Sequence, residues 1–120
     1  MSIFTVVLAT IVALEHFCIF YLESVATQSD TTSRVFNMDK EELTRPSVTS
    51  LFKNQGIYNA LIGVFLLYGI YFSQSLEIVT IFVLFVLGAA TYGSLTVDKK
   101  IILKQGGPAI LTLLSILFLK

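Results

Sequence analysis

The stretch LEIVTIFVLFVLGAATYGSLTV, residues 76–97, decides the fold class because its one charged residue, Glu77, lies at its beginning. A helix of about 20 apolar residues spans the hydrocarbon core of a bilayer. Of the 120 residues in the chain, 55% are hydrophobic and 13% are charged, whereas about a quarter of the residues in a soluble domain are charged. The sequence therefore predicts an all-α, polytopic membrane protein.

Three other apolar stretches complete a predicted four-transmembrane-helix bundle, which forms a single domain over residues 1–120. The predicted spans are residues 2–26, 56–72, 76–97 and 106–119, with a loop at residues 27–54. The first stretch lacks the basic n-region and the A-x-A cleavage pattern of a signal peptide, so we interpret it as a span. The short connection at residues 73–77 is typical of an antiparallel helix hairpin.

Basic residues cluster in two of the connections between spans. They are Arg34, Lys40, Arg45 and Lys53 in the long loop, and Lys99, Lys100 and Lys104 before the fourth span. Because Lys and Arg near span ends favour the cytoplasmic side, the sequence predicts a multi-pass protein of the cell membrane with cytoplasmic basic loops and both termini outside. Acidic residues balance the long loop, so no nucleic-acid partner is expected.

Part of the long loop has the pattern of a short helix on the membrane surface. Asp39 precedes KEEL, which places acids in a first helical turn, and Pro46 is predicted to end that helix. A loop without regular structure at residues 34–46 is an equally good interpretation.

The first span carries ionisable residues at membrane depth, in ALEHFCIFYLES at residues 13–24. At 100° per residue, Glu15 and Glu23 lie within about 80° of each other, and His16 lies within about 20° of Glu23. Such groups are costly in a bilayer, and together they suit proton transfer or cation binding. The alternative is that Glu15 and His16 only bond to other helices and that Glu23 lies at the membrane interface.

The second and fourth predicted spans begin with further polar groups. These groups lie near the predicted cytoplasmic side, at the same depth in the membrane as Glu23. Asn54 alone is better explained as a helix cap. In the third span, the small residues around Tyr92 favour close helix packing. The candidate ligand-binding residues are Glu15, His16, Glu23, Asn54, Gln55, Tyr58, Asn59, Tyr92 and Gln105. We expect Gln55, Asn59, Glu23 and Gln105 to form one hydrogen-bonded cluster, because buried polar groups in lipid need partners.

Enzymatic chemistry finds less support in the sequence. The one histidine and the one cysteine, Cys18, cannot supply a Cys-based zinc site, and no GxSxG, P-loop or HExxH pattern occurs. We therefore predict no catalytic residue, no metal site and no cofactor. Whether the protein is an enzyme stays open, with the sequence favouring that it is not.

The motifs LE in the first span, NQGIYN, AATYGSLT and QGGPA resemble a family of small bacterial four-span membrane proteins classed as a domain of unknown function. This resemblance covers nearly the whole chain and implies a helical bundle. It implies no activity. The matching positions are Glu15, Glu23, Asn54, Gln55, Tyr58, Asn59, Gln105 and Pro108.

The predicted function is a polar, cytoplasm-facing intramembrane pocket that binds or transports a small polar or cationic species. The predicted partners are the lipid bilayer, that ligand, and further copies of the chain in a homodimer or higher oligomer, since 120 residues leave little internal space. Two alternatives remain: a structural or accessory subunit of a membrane complex, and a membrane-embedded redox or metal enzyme.

Overall fold

The computed structural model describes residues 1–119, and every regular element in that part of the chain is a helix. The helices are α1 (Ile3–Phe20), α2 (Asp30–Phe36), α3 (Lys40–Leu43), α4 (Pro46–Leu67), α5 (Leu76–Thr96), α6 (Ile101–Lys104) and α7 (Gly106–Phe118). A π-helical segment, Tyr21–Val25, continues α1, and a second one, Tyr68–Phe72, continues α4. The all-α prediction is confirmed for these residues.

Three helices are long and apolar enough to cross a membrane: Ile3–Val25, Pro46–Phe72 and Leu76–Thr96. The fourth apolar helix, α7, has 13 residues. At 1.5 Å per residue it is about 20 Å long, which is less than a hydrocarbon core of about 30 Å. Length and composition thus indicate a helical membrane protein with three candidate spans and a shorter apolar helix.

The surfaces of these helices carry large apolar side chains. Examples are Phe65 and Phe72 in the second candidate span and Phe85 and Leu95 in α5, all of which are exposed. Soluble proteins rarely expose contiguous apolar patches of this kind, whereas lipid tails solvate them. The exposed apolar side chains therefore agree with helices that face lipid.

The second candidate span begins at Pro46, earlier than the predicted start at Gly56. The short helix that follows Asp39, α3, ends at Leu43, before Pro46, as the sequence predicts. Pro46 is itself the first residue of α4, where the missing N–H costs no helical hydrogen bond. Asn54 consequently lies inside α4, and the interpretation of Asn54 as a helix cap is wrong.

The connection between the first two candidate spans contains α2 and α3. Ser29 caps α2 by accepting a hydrogen bond from Thr32 N at 3.1 Å, and Asn37 ends it in the left-handed conformation, with φ 53°. Asp39 precedes α3, as the sequence predicts, although its side chain makes no capping hydrogen bond. The connection thus holds two short helices, and the location of α3 on the membrane surface stays a prediction.

The chain divides into two compact units. The first consists of residues 1–15 and 63–119, where hydroxyl groups and small residues bring helices together. Thr5 and Ser115 share a hydrogen bond of 2.8 Å between their hydroxyls, and a Cβ added to Gly106 would lie 3.3 Å from Ala90 Cβ. Small residues and hydroxyl bonds are the usual means of packing helices in membranes.

The second unit, residues 16–62, contains the end of the first candidate span, α2, α3 and most of α4. Leu43 is fully buried. Phe36 and Phe52 meet edge to face with their ring centroids 5.3 Å apart, a favoured arrangement of aromatic rings. This unit holds the buried polar residues described next.

Candidate functional site

The first candidate span ends in a wide helical turn that contains Glu23. Ala26 N donates to Tyr21 O at 2.8 Å, a hydrogen bond over five residues that defines the π-helical segment Tyr21–Val25. Such a segment shifts the direction of the side chains that follow, and π-bulges are frequent at functional sites. Side-chain directions calculated at 100° per residue therefore do not apply across this turn.

Two threonines bond the carbonyl groups at this helix end. Thr27 Oγ1 donates to Glu23 O at 2.6 Å. Thr32, which is fully buried, donates from Oγ1 to Ala26 O at 2.7 Å and to Leu22 O at 3.0 Å. Carbonyl groups in the last turn of a helix have no partners within the helix, so these hydroxyls stabilise the turn that positions Glu23.

Glu23 and Asn59 form a buried hydrogen-bonded pair. Their exposed fractions are 6% and 7%, and Asn59 Nδ2 donates to Glu23 Oε1 at 2.6 Å. The same nitrogen lies 3.4 Å from Gln55 O, one helical turn earlier in α4. A carboxylate accepts hydrogen bonds through two oxygens, and Asn59 occupies Oε1, so the pair can offer its remaining acceptors to a cationic or hydrogen-bonding ligand.

The two helices that carry this pair contact each other closely at Gly56. Ser24 Oγ donates to Lys53 O at 2.8 Å, and a Cβ added to Gly56 would lie 2.9 Å from Ser24 Cβ. The glycine therefore allows the approach that places Asn59 against Glu23. Sequence reasoning missed Gly56 and Ser24, although a glycine inside an apolar helix next to Gln55 was a usable signal.

The other candidates in the second unit occupy different environments. Asn54, Gln55 and Tyr58 are exposed, Tyr58 by 56%. The structure thus brings Asn59 together with Glu23 and with the backbone of Gln55. Within residues 1–119, the side chains of Asn54 and Tyr58 make no hydrogen bond with Glu23 or Asn59. His16 is fully buried.

Three candidates lie in the first unit. Tyr92 is 70% exposed on α5, and Gln105 is partly buried directly before α7. Among residues 1–119, Glu15 Oε1 is buried and has no hydrogen-bond partner. The inclusion of Gln105 in a cluster with Glu23 stays a prediction, and so does a role for Tyr92.

Residues 1–119 contain no group of three or more His, Cys, Asp and Glu side chains with the geometry to hold a metal ion. The buried pair of Glu23 and Asn59 offers one carboxylate and one amide, which suits hydrogen bonding to a small polar or cationic molecule.

Residues 10–117 match the family described as "Protein of unknown function (DUF1304)". The chain belongs to the DUF1304 family. The resemblance to a family of unknown function is thereby confirmed. A curated relative is "Uncharacterized protein YpaA" of Lactococcus lactis subsp. lactis (strain IL1403), which is 60% identical over 119 residues that cover 98% of this chain and 100% of that protein. No solved structure matches this DUF1304 chain.

Proposed function

We propose that this DUF1304 protein is a four-span membrane protein that binds a small polar or cationic species at Glu23 and Asn59. The proposal takes α7 as the fourth span of a helical bundle and places both termini outside the cell. Seven of the eight basic residues then lie on the cytoplasmic side, as the positive-inside bias favours.

The observation that supports the proposed site is the 2.6 Å hydrogen bond between Asn59 Nδ2 and Glu23 Oε1, made by two buried side chains in candidate spans. An ionisable group at membrane depth is costly in lipid. By default, such a group therefore indicates a functional site. Asn59 bonds one oxygen of the carboxylate, and we assign the other oxygen to the ligand.

The wide turn at Tyr21–Val25 supports the same assignment. A regular α-helix would use the backbone groups of this turn in bonds over four residues, whereas here the bond from Ala26 N reaches Tyr21 O. The helix thus departs from regular geometry where it carries its buried acid, as helices often do at binding sites.

Binding measurements on purified protein in detergent test the proposal. The probes are guanidinium and tetramethylammonium as cations and urea as a neutral polar molecule. We expect wild-type protein to bind at least one probe, and Glu23→Gln and Asn59→Ala to weaken that binding at least tenfold. Glu77→Gln is the matched control, because it removes an exposed carboxylate at the start of α5.

Liposome flux with the bound probe then distinguishes binding alone from transport. Equal binding by wild type, Glu23→Gln and Asn59→Ala would contradict the site, and so would the failure of every probe to bind wild type at millimolar concentration. Those results would favour the alternative in which the Glu23–Asn59 hydrogen bond only holds the helices of a structural or accessory subunit together.

A further inference from the structure

A polar recess of about 410 Å³ lies in the second unit, where the first candidate span ends. Val25, the last residue of that span, forms its apolar edge. The residues that line the rest include Thr27, Gln28, Ser29, Thr49 and Lys53. The recess therefore lies where the chain changes from apolar to polar.

The lining of the recess has one charged residue, which is basic. It includes Lys53 and no acidic residue, and within residues 1–119 the Lys53 ammonium group makes no ion pair. Asp30, which follows Ser29 in the chain, already pairs with Lys40 at 2.7 Å. The Glu23 carboxylate accepts a hydrogen bond from Asn59. The unpaired Lys53 ammonium group is thus available to an anion.

Hydrogen bonds hold the two sides of the recess together. Ser24 Oγ donates to Lys53 O at 2.8 Å, and Gln28 Nε2 lies 3.3 Å from Thr49 Oγ1. Since an amide nitrogen has two N–H groups, Gln28 keeps a second donor. The chain segments that carry Lys53 and Gln28 are therefore held at the same recess before any ligand binds.

We propose that this recess binds the phosphate group of an anionic phospholipid. An ammonium group and an amide donor are suitable partners for phosphate oxygens, and a charge-assisted hydrogen bond is about twice as strong as a neutral one. The exposed Val25 side chain at its edge suits contact with acyl chains, and lipid phosphates lie at the boundary between apolar and polar regions. Basic groups at this depth recognise anionic head groups.

Native mass spectrometry and thermal unfolding of the full chain in neutral detergent test the proposal with added phosphatidylglycerol. We expect Lys53→Gln to raise the apparent Kd for this lipid about tenfold and Lys53→Arg to leave it within about threefold. Lys104→Gln is the matched control, because it removes an exposed basic residue outside the recess. Its Kd should equal that of wild type.

The fold tolerates these substitutions, because the Lys53 side chain is exposed and Ser24 bonds only its backbone. Circular dichroism checks that helix content is unchanged. Equal lipid binding by wild type and Lys53→Gln would overturn the proposal, as would an equal loss in Lys104→Gln.

Separate additions of phosphatidylcholine and inorganic phosphate distinguish the sources of phosphate. We expect both to bind at least tenfold more weakly than phosphatidylglycerol. Inorganic phosphate that binds as tightly as the lipid, in a manner dependent on Lys53, would overturn the lipid assignment. The result is independent of the proposed function, since the probes that bind at Glu23 and Asn59 are cations or neutral molecules.

Discussion

Gly56 in α4 lies so close to Ser24 that a Cβ at position 56 would overlap the Ser24 hydroxyl oxygen. The helix backbone and the end of the first candidate span are therefore in direct contact. Asn59 follows Gly56 by three residues, about one helical turn, and Glu23 precedes Ser24. The close approach at Gly56 thus sets the separation at which Asn59 can bond to Glu23.

Gly56→Ala should destabilise the protein by about 1–3 kcal/mol, the usual cost of overpacking a close contact. The added methyl group has to displace Ser24, because its distance to Ser24 Cβ would be 2.9 Å. Gly88→Ala is the control, since a Cβ there meets nothing within 4 Å, and alanine should stabilise the helix by up to about 1 kcal/mol. Equilibrium unfolding in mixed micelles measures the free energy of unfolding of both variants. Equal stability of the two variants would contradict the close contact between Gly56 and Ser24.

The hydrogen bond between Glu23 and Asn59 should give a measurable coupling free energy. A double-mutant cycle with Glu23→Ala and Asn59→Ala should yield about 0.6–1.7 kcal/mol, the range of interhelical hydrogen bonds in membranes. Glu23→Gln should lose little stability, because a glutamine oxygen still accepts from Asn59. A cycle of Glu23→Ala with Tyr58→Ala is the control, and its coupling should be near zero because Tyr58 is exposed.

The Asn59→Ala variant also distinguishes a binding site from a purely structural contact. At a binding site, Asn59→Ala should keep the protein folded while ligand binding is lost. Unfolding of Asn59→Ala in mild detergent would instead assign the pair to the stability of the helix packing.

The sequence predicts the parts of this fold that depend on the length of the apolar stretches and on the depth of polar residues in the membrane. The apolar length of residues 76–97 predicts a membrane-spanning helix. The position of Glu23 and Asn59 near the same end of their predicted spans predicts that these two residues meet. The wide turn at Tyr21–Val25 could not be predicted, since a π-helical segment has no fixed sequence pattern. The start of α4 differs from the prediction because Val48, Leu51 and Phe52, whose spacing is helical, lie among polar residues in the predicted loop.

The ion pair of Asp30 and Lys40 should make a small pH-dependent contribution to stability. The Lys40 ammonium donates a hydrogen bond to the Asp30 carboxylate and attracts its charge, and both effects lower the pKa of Asp30 below its ordinary value of 3.8. A lowered pKa means that the stabilisation is fully present above pH 3.8 and is lost as the pH falls through the folded-state pKa.

NMR titration of the Asp30 carboxyl group in micelles measures this effect. Lys40→Gln should raise the pKa of Asp30 toward 3.8, and Lys104→Gln should leave it unchanged. Added salt should reduce the difference between wild type and Lys40→Gln, because both side chains are exposed. An identical Asp30 titration in wild type and Lys40→Gln would contradict the ion pair.

Cysteine labelling tests the proposed orientation in the membrane. Glu41 in the long connection and Ser73 between α4 and α5 are suitable positions because both are exposed, whereas Ser29 and Ser75 cap helices. In a Cys18→Ala background, an impermeant maleimide should label Ser73→Cys in intact cells and Glu41→Cys only after permeabilisation. Labelling of Glu41→Cys from outside would reverse the topology.

Glu15→Leu should stabilise the protein by about 1–3 kcal/mol, the cost of a buried polar group that lacks a hydrogen bond. Glu15 Oε1 is such a group among residues 1–119, and leucine is of similar size and apolar. A carboxylate that lowers stability is retained where function requires it, so the same variant should lose ligand binding or flux if Glu15 contributes to the proposed function.

Glu15→Gln is the matched control for this last prediction, because it keeps a polar group of the same shape and should not recover the stability gained by leucine. Unfolding in mixed micelles and probe flux in liposomes are measured on the same preparations. A lower stability of Glu15→Leu would show that the carboxylate has a favourable partner in the folded protein. Unchanged flux together with higher stability would remove Glu15 from the candidate site and leave Glu23 as its acid.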